Sequence, residues 1–330
     1  MRIVLALLRL LAWLAIAIAL LWAGMALWID GPSPLRTWAT SAFAFAVLTV
    51  LVIVRPWRRK ALVLLLLFAA VVFWWSLISP RNDRDWLADV ARPPWAEIDG
   101  DRITIHNLRN FEYRSETDFT ENWETRSYDL QHLQGFDMFL SYWGPTAIAH
   151  TISSWDFGPD GNLAISIETR KEKGETYSAL LGFFRQYELY YVIADERDVV
   201  GVRTNHRGEH TYLYRIRGTP ERARAILLDY LATANRLAQR PQWYNALTHN
   251  CTTTIRDHIR NVTPTRPWGW QLLLNGYLDQ LGYERGTINN SITPFAEMKV
   301  RSEITEKANA AAAAPDFSAR IREGLPDRPQ

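Results

Sequence analysis

Three long uncharged runs open the chain, and shorter alternating and amphipathic patterns follow them. Leu10–Ile29 holds twenty residues without a charge, Thr37–Val54 eighteen and Ala61–Pro80 twenty. At about 1.5 Å of rise per residue, each is long enough, or nearly so, to cross a hydrocarbon core about 30 Å thick. Three such runs in succession, joined by a few residues each, argue against both a cleaved leader and buried core helices. Their flanks predict an orientation. Arg2 and Arg9 flank the first run, the connection Arg55–Lys60 carries four positive charges, and the connection Asp30–Arg36 is nearly neutral. Basic residues concentrate on cytoplasmic connections, so the N-terminus and Arg55–Lys60 are expected in the cytoplasm and everything after Pro80 on the outer side. Trp57, Trp74 and Trp75 fall at or near span ends, where aromatic side chains collect.

Beyond Pro80 the pattern is that of an α+β domain. Asn82–Glu97 reads as a polar, proline-containing linker. Ile103–Ile105 and Met138–Ser141 read as short strands. Ile148–Trp155 and Asn162–Thr169 alternate with period two and are separated by Phe157–Gly161, whose turn chemistry predicts two adjacent antiparallel strands. Glu188–Ile193 and Thr211–Arg217 are strand-like, and Glu175–Phe184 predicts an amphipathic helix. Pro220–Gln239 is the clearest helix, with Thr219 as cap, Pro220 at the first position, and Ala223, Ile226, Leu227, Tyr230 and Leu231 in one apolar stripe. Thr252–Asn261, opened by Asn250, and Gln271–Leu281 predict two more. Lys307–Gln330, with five consecutive alanines, reads as a weakly ordered, non-catalytic tail. The expected organisation is an anchor over 1–80, a linker over 81–100, a domain over 101–300 and a tail over 301–330.

Composition narrows the chemistry. The formal net charge is +2, with both signs interspersed beyond residue 80, so nucleic acid is not an expected partner. Cys251 is the only cysteine and cannot form an intramolecular disulfide. It lies in Tyr244–Asn245–Ala246–Leu247–Thr248–His249–Asn250–Cys251–Thr252–Thr253–Thr254, directly after an N-cap type residue. Backbone N–H groups at a helix start favour negative charge, so a lowered thiol pKa is expected there. The same groups, around Asn250 and Thr252, are candidate donors to an oxyanion. A thiol nucleophile needs a base. His249 is too near in sequence for the usual geometry, and His258 falls on the same helical face, where it packs or caps. His206 and His210 bracket turn-like residues, and no metal site is expected. His150, in the strand-like run Ala147–Ile152, is the candidate base. Glu168, which shares a strand face with Ser166, is the candidate orienting carboxylate.

Ser141–Tyr142–Trp143–Gly144–Pro145, Ile148–Ala149–His150–Thr151, Ile165–Glu172, and Tyr244–Asn245 with Asn250–Cys251–Thr252–Thr253 together resemble a family. It was first catalogued as a domain of unknown function and is now named for the N-terminal periplasmic domain of the lipoprotein N-acyltransferase Lnb. The resemblance covers about Ile103–Arg285. That family is similar to the permuted papain-like group, which includes NlpC-type peptidases and lecithin:retinol acyltransferase and in which the His strand precedes the Cys helix. The resemblance implies a permuted papain-like domain with a small antiparallel sheet packed against helices, held at the periplasmic face of a bacterial inner membrane. It implies Cys251 as nucleophile, His150 as base, Glu168 as orienting residue, no cofactor, and membrane lipids as partners, with a lipoprotein or a cell-wall peptide as substrate. Acyl transfer or hydrolysis is the leading expectation. A cell-wall peptidase or amidase and a non-enzymatic envelope scaffold are the alternatives.

Overall fold

The computed structural model describes residues 2–263, 269–272 and 274–329, which divide into two compact units. The first unit comprises residues 1–81 and 177–187. Its helices are α1 (Arg2–Ile29), α2 (Leu35–Ile53) and α3 (Trp57–Ser76). All three are long and apolar enough to cross a membrane. Their large side chains stay uncovered by protein: Trp38 is 77% exposed and Phe45 73%. Apolar area on that scale calls for a lipid surround. The third span begins four residues earlier than its uncharged run, because Pro56 caps the helix and Arg58–Lys60 form its first turn. Trp22 packs edge-on against Trp75, and Trp75 donates its indole N–H to Asp30.

Residues 177–187 depart from expectation. In place of a helix over Glu175–Phe184 there is one 3₁₀ turn, Leu181–Phe183. Phe184 is buried with Ala23, Ala26 and Val71, and Asp30 accepts from the Arg185 amide and the Gln186 side chain. The apolar residues that mimic a helical stripe are spent on this docking.

The second unit, residues 82–176 and 188–330, is built on one sheet. Its strands are β1 (Trp95–Asp99), β2 (Arg102–Arg109), β5 (Trp123–Asp129), β6 (Gly135–Tyr142), β7 (His150–Asp156), β8 (Asn162–Arg170), β9 (Glu188–Ala194) and β10 (His210–Arg215), while β3 (Glu112–Tyr113) and β4 (Phe119–Thr120) form a separate hairpin. The order is β1-β2-β9-β8-β7-β6-β10, with β5 also on β2. Every pairing is antiparallel except β2 with β9. The β7–β8 hairpin is the one the alternation predicts. β1 and β5, which alternate weakly in sequence, make the sheet larger than the small one expected.

Helices α4 (Glu196–Val199), α5 (Pro220–Gln239), α6 (Cys251–Val262), α7 (Leu278–Glu284), α8 (Phe295–Arg301), α9 (Thr305–Ala310) and α10 (Phe317–Arg320) complete the unit. Strand alternation divides β7 between two layers. Ser153 meets the Tyr230 hydroxyl and Trp155 donates to the Ala223 carbonyl, so these residues face α5. Ile152 belongs to the opposite core, with Ile304, Ala308, Phe317 and Ile321, and Ser154 donates to Glu196 of α4.

Three stretches differ from the sequence reading. Residues 82–97 are part of this unit and not a free linker, since Trp86 and Val90 are buried and Arg170 stacks on Trp86. The expected helix Gln271–Leu281 is two 3₁₀ turns, Trp270–Leu272 and Asn275–Tyr277, ahead of α7, and Leu273 lies outside the described residues. The expected weak tail is folded. Its alanines and Phe317 fill one core, while Arg322 and Arg328 reach back to Asp137 and Glu196.

Candidate active site

Cys251 is the first residue of α6, and the cap is complete in both directions. The Asn250 side chain accepts from the Thr253 amide at 2.9 Å, and the Thr253 hydroxyl accepts from the Asn250 amide at 3.0 Å. Asn250 also donates to the Ala246 carbonyl. Its side chain holds the turn through both its oxygen and its nitrogen. The first N–H groups of a helix have no intrahelical partner. With Thr253 capped by Asn250 and the Thr252 N–H turned to the Cys251 sulfur, that of Cys251 remains.

The sulfur is partly buried. It lies 3.8 Å from Thr252 Oγ1 and also takes backbone hydrogen bonds from Thr252 and Thr151. The expected lowering of the thiol pKa is corrected here: burial pushes the Cys251 thiol up from 9.0, the Glu168 carboxylate adds to the rise, and the local hydrogen bonds offset it only in part. At neutral pH the group is a thiol.

His150 opens β7 opposite Ser141 of β6. Pairing between β7 and β8 begins only at Ile152–Ser166, so the strands part beside His150. Across that gap His150 Nε2 lies 2.7 Å from Ser166 Oγ and 3.1 Å from Glu168 Oε1. Ser166 donates to Glu168 at 2.7 Å, which leaves its oxygen to accept from Nε2–H. The neutral ring then keeps its lone pair on Nδ1, which makes no protein hydrogen bond among the described residues. Arg203 donates to Glu168 at 2.9 Å and to Glu209 at 3.1 Å, and Ser141 donates to Glu209 at 2.7 Å. Burial and the Arg203 charge hold His150 below 6.5. Glu168 is well below the usual carboxylate range despite burial, because His150 and Arg203 favour its charge. The site therefore pairs a neutral imidazole with an ionised carboxylate.

The structure brings His150, Ser166 and Glu168 into one hydrogen-bonded group. It brings Cys251 to the peptide joining His150 and Thr151. Sulfur and imidazole are not hydrogen-bonded to each other. Asn275 ties the two elements: it pairs with both the N–H and C=O of Ala149, at 2.9 and 2.6 Å, and donates to Thr252 at 2.8 Å. One buried amide thus spans the residue before His150 and the residue after Cys251. Asn275, Arg203 and Glu209 were missed by sequence reasoning, and no local pattern marks them.

His258 sits as its helical spacing suggests, packed and structural. Both ring nitrogens are occupied, by Asp229 at 2.6 Å and Tyr191 at 2.7 Å, and Tyr230 stacks on the ring. His249 is exposed and meets Thr248.

A cleft of about 580 Å³ has Thr151 and Thr252, the chain neighbours of His150 and Cys251, in its wall, while Cys251 and His150 are not among its lining residues. Its lining is mostly aliphatic, including Ile226, Ile255, Ile259 and Leu281.

No curated protein and no solved structure matches this chain. Residues 119–276, which include Glu168, His150, Cys251 and Asn275, match the family model described as the Lnb N-terminal periplasmic domain. With three helices fit to cross a bilayer, that match marks a periplasmic, membrane-associated protein.

Proposed function

We propose that the protein is a thiol acyltransferase or hydrolase that works on lipid acyl esters at the outer face of the inner membrane, with its N-terminus in the cytoplasm. The observation that supports this reading is the placement of Cys251, at the mouth of a capped helix and beside the peptide that joins Thr151 to His150, the residue whose imidazole is held by Ser166 and Glu168. The mostly aliphatic cleft at Thr252 favours a lipid acyl chain over a peptide.

Because both thiol and imidazole are neutral at rest, attack and proton transfer are coupled. The Cys251 S–H proton passes to His150 Nδ1 as sulfur adds to the ester carbonyl, and the imidazolium is stabilised by Glu168. The Cys251 amide, at the start of the helix, is the candidate donor to the oxyanion. Collapse breaks the ester C–O bond, and the leaving alkoxide takes the proton from His150. The products are a deacylated lipid alcohol and an S-acyl Cys251. An amine or water then adds to the thioester and delivers its proton through His150 to the departing sulfur. Catalytic hydrogen bonds often close only in the substrate complex, so the missing S–H···N contact is expected to form there.

The test is release of lysophospholipid by the full chain in mixed lipid–detergent micelles. Wild type is expected to release it, with Cys251→Ala and His150→Ala reduced by at least about 100-fold. Cleavage of cell-wall peptides without lysophospholipid would favour the peptidase reading. Full complementation by Cys251→Ala would favour a scaffold.

A further inference from the structure

Three stretches of chain lead into the site. Residues 143–149 end at His150, and residues 245–250 end at Cys251. Residues 269–277 hold Asn275, which bonds Ala149 in the first stretch and Thr252 just beyond the second. Charged residues make up 22% of the chain, yet none of these stretches contains an Asp, Glu, Lys or Arg. Their large apolar side chains stay out of the core. Trp143 is 54% exposed, Leu247 58% and Trp270 56%, and Ile148 and Leu274 are exposed as well. Among the described residues of the second unit eight large apolar side chains are exposed, and these five are the majority; Trp95, Ile98 and Val300 lie on β1 and α8. Single exposed apolar residues need no explanation, but their concentration on the approaches to one site marks a contact surface.

Two features point to a bilayer as the partner. The turn that carries Leu247 closes its polar groups on itself. Asn245 and His249 exchange backbone hydrogen bonds, and Asn245 Oδ1 accepts from the Leu247 amide, the Thr248 amide and the Thr248 hydroxyl. An uncharged loop whose backbone bonds internally loses little on leaving water. The chain also ties this end of the sheet to the spans. The connection 143–149 joins β6 to β7 at the end where β8 stops and β9 starts. Between Arg170 and Glu188 the chain runs through residues 177–187, which belong to the unit of the three long apolar helices. Tyr187 is part of that unit and Glu188 opens β9, so the tether keeps a bilayer at high local concentration here.

We infer that Trp143, Ile148, Leu247, Trp270 and Leu274 seat this end of the second unit in the headgroup and upper acyl layer of the bilayer that the helices cross. Tryptophan beside aliphatic side chains is the composition that such an interfacial seat calls for. The seat is a property of the loops themselves. Its use, delivery of an acyl ester to Cys251 without passage through water, rests on the acyl-transfer reading.

The experiment uses the full chain reconstituted in vesicles of phosphatidylethanolamine and phosphatidylglycerol. Cys251→Ser removes the only thiol. Leu247→Cys then carries one environment-sensitive fluorophore, and Pro159→Cys, in the exposed turn at the other end of the β7–β8 hairpin, serves as the reference. At position 247 the fluorophore is expected to emit at shorter wavelength than at position 159 and to be quenched by nitroxides on the lipid acyl chains. Equal emission at the two positions, without lipid quenching at 247, overturns the inference. So does a blue shift that lipid nitroxides leave unquenched and that grows with the protein-to-lipid ratio, since it assigns the loops to a second copy of the chain. In the thiol-bearing protein, Trp143→Glu/Leu247→Glu is expected to cut lysophospholipid release from vesicles by at least about ten-fold, with release from a short-chain ester below its micellar concentration unchanged. Undiminished release from vesicles by a variant that melts normally would also overturn the seat; where the variant melts early, the fluorophore comparison decides. Lipid quenching at 247 without lysophospholipid release by wild type would sink the catalytic reading and leave the seat standing. Release without quenching would do the reverse.

Discussion

At the scale of single residues, the site is set by which groups are charged at rest. Cys251 is held as a thiol by burial and by the Glu168 field, while His150 is held neutral by burial and by Arg203. Two pH effects follow. Alkylation of Cys251 by iodoacetamide should be slow at neutral pH and climb through and beyond pH 9.0; a rate independent of pH down to mild acid would mean a preformed thiolate. A base whose pKa is depressed stays unprotonated to lower pH, so the acid limb of kcat/KM should lie below 6.5. Glu168 favours the charged ring, so Glu168→Gln should lower His150 further, moving that limb to lower pH while cutting kcat by about 10²-fold or more. A limb at or above the ordinary imidazole range would contradict this assignment. Cys251 was readable in the sequence from its place directly after an N-cap residue, and the shared face of Ser166 and Glu168 from strand alternation. Arg203 and Asn275 were not, because their partners lie 35 and 126 residues away and only the folded sheet brings them together.

At the scale of elements, the relation of α6 to β7 depends on the turn Asn275–Tyr277. Asn275→Ala removes the clamp on Ala149 and Thr252 and leaves buried backbone groups unpaired, at a cost of about 1–3 kcal/mol. Its effect should fall on kcat more than on KM, since it shifts the thiol against the imidazole while altering only the Thr252 end of the cleft wall. Gly276 makes a second test. A Cβ there would meet the Thr146 carbonyl oxygen, Ala147 C at 2.7 Å and Ile148 N at 2.9 Å, all backbone. Gly276→Ala should therefore displace the approach to His150 and lower kcat with the helices intact; unchanged kinetics would show that this approach is not under close control. α5 was legible residue for residue, because cap, Pro220 and stripe agree. Glu175–Phe184 misled because an apolar segment that docks on other helices carries the same periodicity as one that coils on itself.

At the scale of the whole molecule, the C-terminal residues close the second unit. Asp137 and Glu196 are fully buried, and Arg322 and Arg328 supply their cations. Removing one partner of a buried pair costs about 3–5 kcal/mol. Arg322→Met should lower the melting temperature sharply, and a chain ending at residue 304 should lack a cooperative melt. A truncated chain with native stability would restore the view of a dispensable tail. Low-complexity alanine suggested disorder; small side chains in fact suit a tightly packed core layer. Topology is tested by an alkaline phosphatase fusion near residue 330, expected active, with an active cytoplasmic reporter as the contrary result.

The acylated enzyme itself is the most direct object of measurement. Purified full chain incubated with phospholipid and examined by intact mass should gain one acyl group, mapped to Cys251 and released by neutral hydroxylamine, and the gain should vanish in Cys251→Ala. A chain that is folded and can be alkylated at Cys251 but takes up no acyl group, or one that is still acylated in Cys251→Ala, would contradict the account.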